Sequence, residues 1–326
     1  MARASRGAAL LLVFGCQAAE PERTAPVGVG PDPVASTHDF IVTEMTFHAP
    51  EGLREDIAVV PNPCGVDAGS SNATYQPLVL DGLEVDGFDL DGTEGDATCP
   101  HADYVSPSGQ GGIDYAFLHV MDMIRPARPG QTIEVVLSSA PAQGLLKIGI
   151  RLTDVDDLTF DDDVGVLVTT TMDAPLIGAD GEILAGSSVT VDTNPDYRSA
   201  FRGRIEDGVL LAGPADVVIG NIDLLVIEDR VVSLRGAQIR ATVEERPFGG
   251  YDVDALIGGW WHVDDMTEAI DHAIRTIGAN AGELDCVLRA HADRSSDGMT
   301  CDEMSTMVRM KAVSGFLTGL DDPEEG

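Results

Sequence analysis

From residue 131 onward the chain is a succession of short β-branched segments set apart by Asp, Gly or Pro, and this punctuation restricts its fold more than any other feature. "QTIEVVLSS", "LLKIGIRLTDV", "VGVLVTTTM", "SSVTVD", "SAFRGRIEDGVLLA", "DLLVIEDRVVSLRGAQIRATVEER" and "YDVDALIGGW" are rich in strand formers, and several alternate apolar with polar residues as a strand with one buried face does. Antiparallel sheets packed face to face satisfy that alternation. The expected fold is therefore mainly β, an antiparallel β-sandwich (jelly-roll-like) with two short helices. "HDFIVTEMTF" and "DIAVVPNP" supply earlier strands. The closing "EMSTMVRMKAVSGFL" fits either period and is read as a strand that returns to the sandwich.

The two helices interrupt this pattern. In "GGIDYAFLHVMDMI", Ile113, Phe117, Val120, Met121 and Ile124 recur at helical intervals, Asp114 sits in the first turn, and Pro126 ends the run. In "DDMTEAIDHAIRTIG", Met266, Ile270, Ile274 and Ile277 form the stripe, with Asp264 or Asp265 as the cap.

The N-terminus indicates export. "MARASR" carries Arg3 and Arg6, and "GAALLLVF" has the length of a signal-peptide apolar region but is too short to span a bilayer. "VFGC" then resembles a bacterial lipobox, which implies lipidation of Cys16 and a membrane anchored through that lipid. Residues 1–16 are thus read as signal peptide and lipobox, 17–37 as a Pro- and Ala-rich tether, 38–320 as one β-rich domain, and 321–326 as an acidic tail. Gln17 after the cysteine resembles lipoproteins of the outer membrane, the expected location. A cut near Ala18 or Ala19, as in an ordinary secreted protein, is the alternative.

Removing Cys16 leaves Cys64, Cys99, Cys286 and Cys301, an even set suited to two disulfides in an oxidising space. Three pairings are possible; neighbours close the smallest loops, which favours Cys64 with Cys99 and Cys286 with Cys301. The C-x-x-C spacing common in zinc sites is absent.

Acidity dominates the remaining chemistry. The net charge of −35 opposes binding to nucleic acid or to an anionic bilayer surface. The 37 Asp against 18 Glu put carboxylates on short stems that suit turns and hard cations. Three clusters stand out: Asp86, Asp89 and Asp91; then Asp154, Asp156, Asp157, Asp161, Asp162 and Asp163; then Asp293, Asp297, Asp302 and Glu303. Ca²⁺, with six to eight oxygen ligands, would relieve the repulsion in such loops and is the expected structural ion, most of all in the second cluster. An acidic solvated surface is the alternative. The third cluster follows the first half of an EF-hand loop through Asp293, Ser295, Asp297 and Gly298, but Met304 stands in the place of the bidentate Glu.

"GFDLDG", Cys99, "GGIDYAF" and the later "CDEMS" together resemble a pattern in uncharacterised surface lipoproteins of myxobacterial-type delta-proteobacteria. The resemblance implies surface exposure, disulfides and a β-rich body, and brings no activity with it.

Signatures of catalysis are missing: the sequence has no G-x-S-x-G, H-E-x-x-H, Walker loop or G-x-G-x-x-G. Aromatics are 5 % of the chain, and Tyr251, Trp260, Trp261 and His262 make the one cluster suited to a ligand. The expected function is an exported, lipid-anchored binding or surface-structural protein. A secreted polysaccharide hydrolase with an acidic catalytic pair is the competing expectation.

Overall fold

The alternating segments do form strands, and the long ones join into a ring. A computed structural model describes residues 35–50, 60, 61, 64, 74, 75, 80, 82–92, 99, 101–121, 133–222, 230–268 and 281–320. In chain order the strands are β1 (Ser36–Phe47), β2 (Val60–Pro61), β3 (Thr74–Tyr75), β4 (Ile148–Val155), β5 (Asp161–Thr170), β6 (Ser188–Thr190), β7 (Arg198–Glu206), β8 (Val209–Ile222), β9 (Arg230–Glu245), β10 (Tyr251–His262) and β11 (Glu303–Thr318). Strands β1, β4, β5, β7, β8, β9, β10 and β11 each pair antiparallel with the next, and β11 pairs back onto β1 from Asp39 opposite Gly315 to Phe47 opposite Val308.

This is a closed eight-stranded up-and-down barrel, and it overturns the expected sandwich. Sandwich and barrel strands carry the same inward and outward alternation. What separates them here is one pairing, between the first and last long strands, about 270 residues apart in sequence, which no local period encodes.

Register shows which side chains point inward. Phe40 faces Ile150, which faces Val168; Ile205 faces Leu210, which faces Ala241; Ala241 faces Ala255, and Ala255 faces Met310. All are buried in one continuous cluster, so apolar side chains fill the barrel, as eight strands allow. The alternate residues carry Arg151, Arg202, Arg204, Arg240, Asp254, Arg309 and Lys311 on the outer wall. Apolar inside and charged outside is the reverse of a membrane-spanning barrel. Among the described residues no helix is long and apolar enough to cross a bilayer.

Three excursions wrap the wall. The first, between β1 and β4, holds the β2–β3 pair, a 3-10 turn at Ala116–Val120 and helix α1 (Ile133–Ser139). The helix expected from Ile113 opens as this 3-10 turn with Met121 helical after it, and its expected end at Ile124 lies outside the described residues. Helix α1 replaces the strand expected at "QTIEVVLSS". There Leu137 and Ala140 are buried three residues apart, while Val135 is half exposed and Ser139 donates back to the Val135 carbonyl, so one helical face is anchored. The second excursion places β6 parallel to the end of β11, where Val189 and Val191 cover Ile41 and Leu317. In the third, residues 263–268 are helical, in keeping with the second expected helix, whose later part lies outside the described residues; helix α2 (Ala281–His291) follows.

Both disulfides form, but crosswise: Cys64 with Cys286 and Cys99 with Cys301. The neighbour pairing is therefore wrong. Loop-closure cost rises only logarithmically with length, so a small loop is a weak preference, and the fold decides by laying the first excursion against the third.

The first excursion docks on the outer face of β10 and β11 through two glycines. A Cβ on Gly258 would lie 2.5 Å from the Phe88 ring, and one on Gly87 would lie 2.3 Å from the Met307 methyl. With both positions bare, residues 85–88 lie flat on the wall and fix the site above it.

Candidate functional site: a buried imidazole and carboxylate cluster

The site is assembled from short contacts between loops. Val85 donates its N–H to the Val105 carbonyl, Tyr104 and Ile113 exchange two backbone hydrogen bonds, and the Asp114 N–H bonds the Phe88 carbonyl. This brings the turn at 89–92, the segment 101–105 and the entry to the 3-10 turn into one layer. Beneath it, Ser305 on β11 accepts the Ala116 N–H through Oγ at 2.7 Å, and the Tyr115 hydroxyl donates to the His48 carbonyl at 2.6 Å. The Cys99–Cys301 bridge ties the layer to the third excursion, which brings in Asp293.

His101 is at the centre. Its Nδ1 lies 3.1 Å from the Cys99 carbonyl, and its Nε2 lies 2.9 Å from Asp114 Oδ1 and 3.3 Å from Asp103 Oδ1. The Asp114 side chain is fully buried; its Oδ2 accepts the Leu90 N–H at 2.7 Å. Asp293, also buried, accepts the Ser305 N–H at 2.8 Å and the Ser305 hydroxyl.

The hydrogen bond to Asp114 raises His101 to about 9, against the opposing effect of burial. At neutral pH the ring is therefore an imidazolium that donates from both nitrogens. Burial lifts Asp293 to about 6, although Ser305 and the His101 charge pull the other way. Burial also carries the Tyr104 hydroxyl to about 12. One donor atom each from Asp91, His101 and Asp114 lies within 4.8 Å of the other two, a set of one nitrogen and two oxygens that can hold a metal ion.

Of the first acidic cluster, Asp91 alone turns into this site. Asp86 pairs with Arg240 at 2.6 Å, and Asp89 accepts the Gly92 N–H at 2.6 Å. The six aspartates of the second cluster are not brought together on one point. Asp161 is buried, which favours its neutral form, but the Asp156 and Asp163 N–H groups outweigh that and hold it below the usual carboxylate range. Asp154 and Asp163 both pair with Arg202, Asp157 accepts the Thr159 N–H, and Asp156 and Asp162 are exposed. In the third cluster, Asp297 and Asp302 cap turn residues, and Glu303 is buried against Arg235 at 2.7 Å.

The aromatic candidates separate as well. Tyr251 and Trp260 stand at opposite ends of β10, about 30 Å apart at the rise of a strand. Trp260 is buried with the Arg294 guanidinium 5.1 Å above its ring, and Trp261 is buried facing Met304. His262 is half-buried, with Nε2 3.4 Å from Asp302. Cys16 lies outside the described residues.

His101, Asp103 and Asp114 do not stand out in the sequence, because the site takes single residues from separate segments and none of the three lies in a dense run of acids. A signal was present in "CPHAD", where a histidine follows a bridged cysteine by two positions and precedes an aspartate by two.

An open groove of about 550 Å³ runs along the outer wall of β10 and β11, with Asp180, Glu182, Glu244 and Asp252 facing Arg246 and Lys311. No protein-family model, curated protein or solved structure matches this chain.

Proposed function

We propose that this chain is an exported, lipid-anchored binding or surface-structural protein that works through its outer wall and loops. The observation that supports this best is the filled barrel. Apolar side chains from all eight strands occupy the space where other barrels hold a ligand, so the interior serves as a scaffold. The crossed disulfides support the exported setting, since such bonds persist in oxidising compartments. The groove beside Arg246 and Lys311 offers a mixed-charge surface for a partner.

Fractionating a Gram-negative host that expresses the chain tests the anchor. Wild type is expected in the outer-membrane fraction and Cys16→Ser in the soluble periplasmic fraction. Equal membrane partitioning of both proteins, or recovery of wild type in the cytosol with reduced thiols, overturns the proposal.

A further inference from the structure

We propose that Asp91, His101 and Asp114 form a binding site for a divalent transition-metal ion of the Zn²⁺ class, which joins the first excursion to the barrel wall.

Donor chemistry is the first ground. An imidazole nitrogen with two carboxylate oxygens suits Zn²⁺ and its neighbours, whereas Ca²⁺ selects an all-oxygen shell of six or more ligands. The three donor atoms lie within 4.8 Å of one another, so a modest contraction reaches the separation of about 3.4 Å set by metal bonds near 2.1 Å. Three protein ligands also leave a place for water or for an outside ligand.

Orientation is the second ground. His101 Nδ1 is 3.1 Å from the Cys99 carbonyl, the outer contact that fixes the tautomer of a metal-bound histidine and points Nε2 at the ion. Cys99 is held by its bridge to Cys301. The ring is thus aimed from behind by covalently fixed backbone, independently of the carboxylates in front.

Charge is the third ground. Asp114 and Asp293 are both buried, and Asp114 lies 2.9 Å from the imidazole. A divalent ion at this site places positive charge against these buried carboxylates and offsets the cost of burying them. Asp103, 3.3 Å from the same nitrogen, is a further oxygen within reach.

The test uses the purified, oxidised, chelator-stripped chain. Zn²⁺, Ca²⁺ and Co²⁺ are titrated separately by calorimetry, and the Co²⁺ visible spectrum is recorded. Expected are one equivalent of Zn²⁺, Ca²⁺ binding at least about tenfold weaker, and Co²⁺ bands of a mixed nitrogen and oxygen shell. His101→Asn and Asp91→Asn are each expected to weaken Zn²⁺ binding by at least about tenfold with both disulfides intact. Asp91→Asn serves alone if His101→Asn does not fold, because Asp91 is only half-buried. Asp157→Asn, in the second acidic cluster, is expected to bind Zn²⁺ as wild type does. The proposal is overturned by absence of Zn²⁺ binding at about 100 micromolar metal (on the order of the weak affinities of extracellular cation modules), by Ca²⁺ binding more tightly than Zn²⁺, or by unchanged Zn²⁺ affinity in the foldable variants.

Discussion

His101 Nε2 and Asp114 Oδ1 lie 2.9 Å apart within the loop layer, an ion pair whose acid partner is fully buried. The folded state binds this proton more tightly than the unfolded chain, with a pKa of about 9 against an ordinary 6.5. The stabilisation is therefore complete below about 6.5 and is lost as pH rises to 9. In the presence of chelator, stability is expected to fall by about 1–2 kcal/mol from pH 7 to 9, after allowance for solvent screening. Denaturant midpoints across that range check the fall, and the NMR titration of the His101 ring checks its source.

Replacing Asp114 with Asn removes the charge and weakens the bond. A cost of about 1.5–3 kcal/mol is expected, the range for a hydrogen bond to a charged group. The high-pH loss is expected to shrink with it. An unchanged slope between pH 7 and 9 in Asp114→Asn would show that another group carries the effect.

Asp293 acts in the same direction at lower pH. Its folded pKa of about 6 lies above the ordinary carboxylate value, so the folded state again holds the extra proton, and stability is lost as pH climbs from about 4 to 6. The ceiling is about 3 kcal/mol. His119, kept neutral down to about 4 by burial beside His291, gives the opposite slope over the same range. The difference between wild type and Asp293→Asn isolates the Asp293 share, and Asp293→Asn is expected to gain stability with pH where wild type gains less.

The docking of Phe88 on Gly258 predicts an asymmetric pair of variants. Gly258→Ala places a methyl within 2.5 Å of the ring and is expected to cost about 1–3 kcal/mol by overpacking. Phe88→Ala removes the ring and is expected to cost about 3–5 kcal/mol. In the double variant the overpacking cost is relieved, so the two costs sum to more than the measured loss; strict additivity in thermal melts would refute the contact.

The crossed bridges predict that non-reducing digestion yields Cys64 linked to Cys286 and Cys99 linked to Cys301. Peptide mass mapping decides between this and the neighbour pairing. With Cys64–Cys286 formed, the second bridge closes a ring of about 50 residues, worth about 4 kcal/mol in the chain-entropy model. The Cys99→Ser, Cys301→Ser double variant is expected to lose an amount of that order and to loosen His101.

Strand content was legible in the sequence because β-branched alternation is a local signal, and β7, the start of β8, β9 and β10 fall on the segments that carry it. The bridging of all four remaining cysteines was legible from their number. Closure of β11 on β1 and the crossed connectivity were not, since each depends on contacts more than 200 residues apart. The site was hidden for the same reason. Asp91 stood out in an acidic run, but its partners His101 and Asp114 lie in segments whose only common feature is where the fold puts them. In the dense run from Asp154 to Asp163, by contrast, Asp157 and Asp161 accept turn amides and Asp154 and Asp163 pair with Arg202, so density in sequence does not converge on one point.

For a chain exported N-terminus first into an oxidising space, as proposed, the crossed bridges would set an order of events. Cys64 and Cys99 would then emerge together while the native partner of each is still more than 180 residues behind, so oxidation at that stage would join them to one another. Reaching the native state then requires thiol exchange after β11 has appeared and sealed against β1. If the chain is exported, its yield is expected to rise with disulfide isomerase supply and to respond little to oxidant alone.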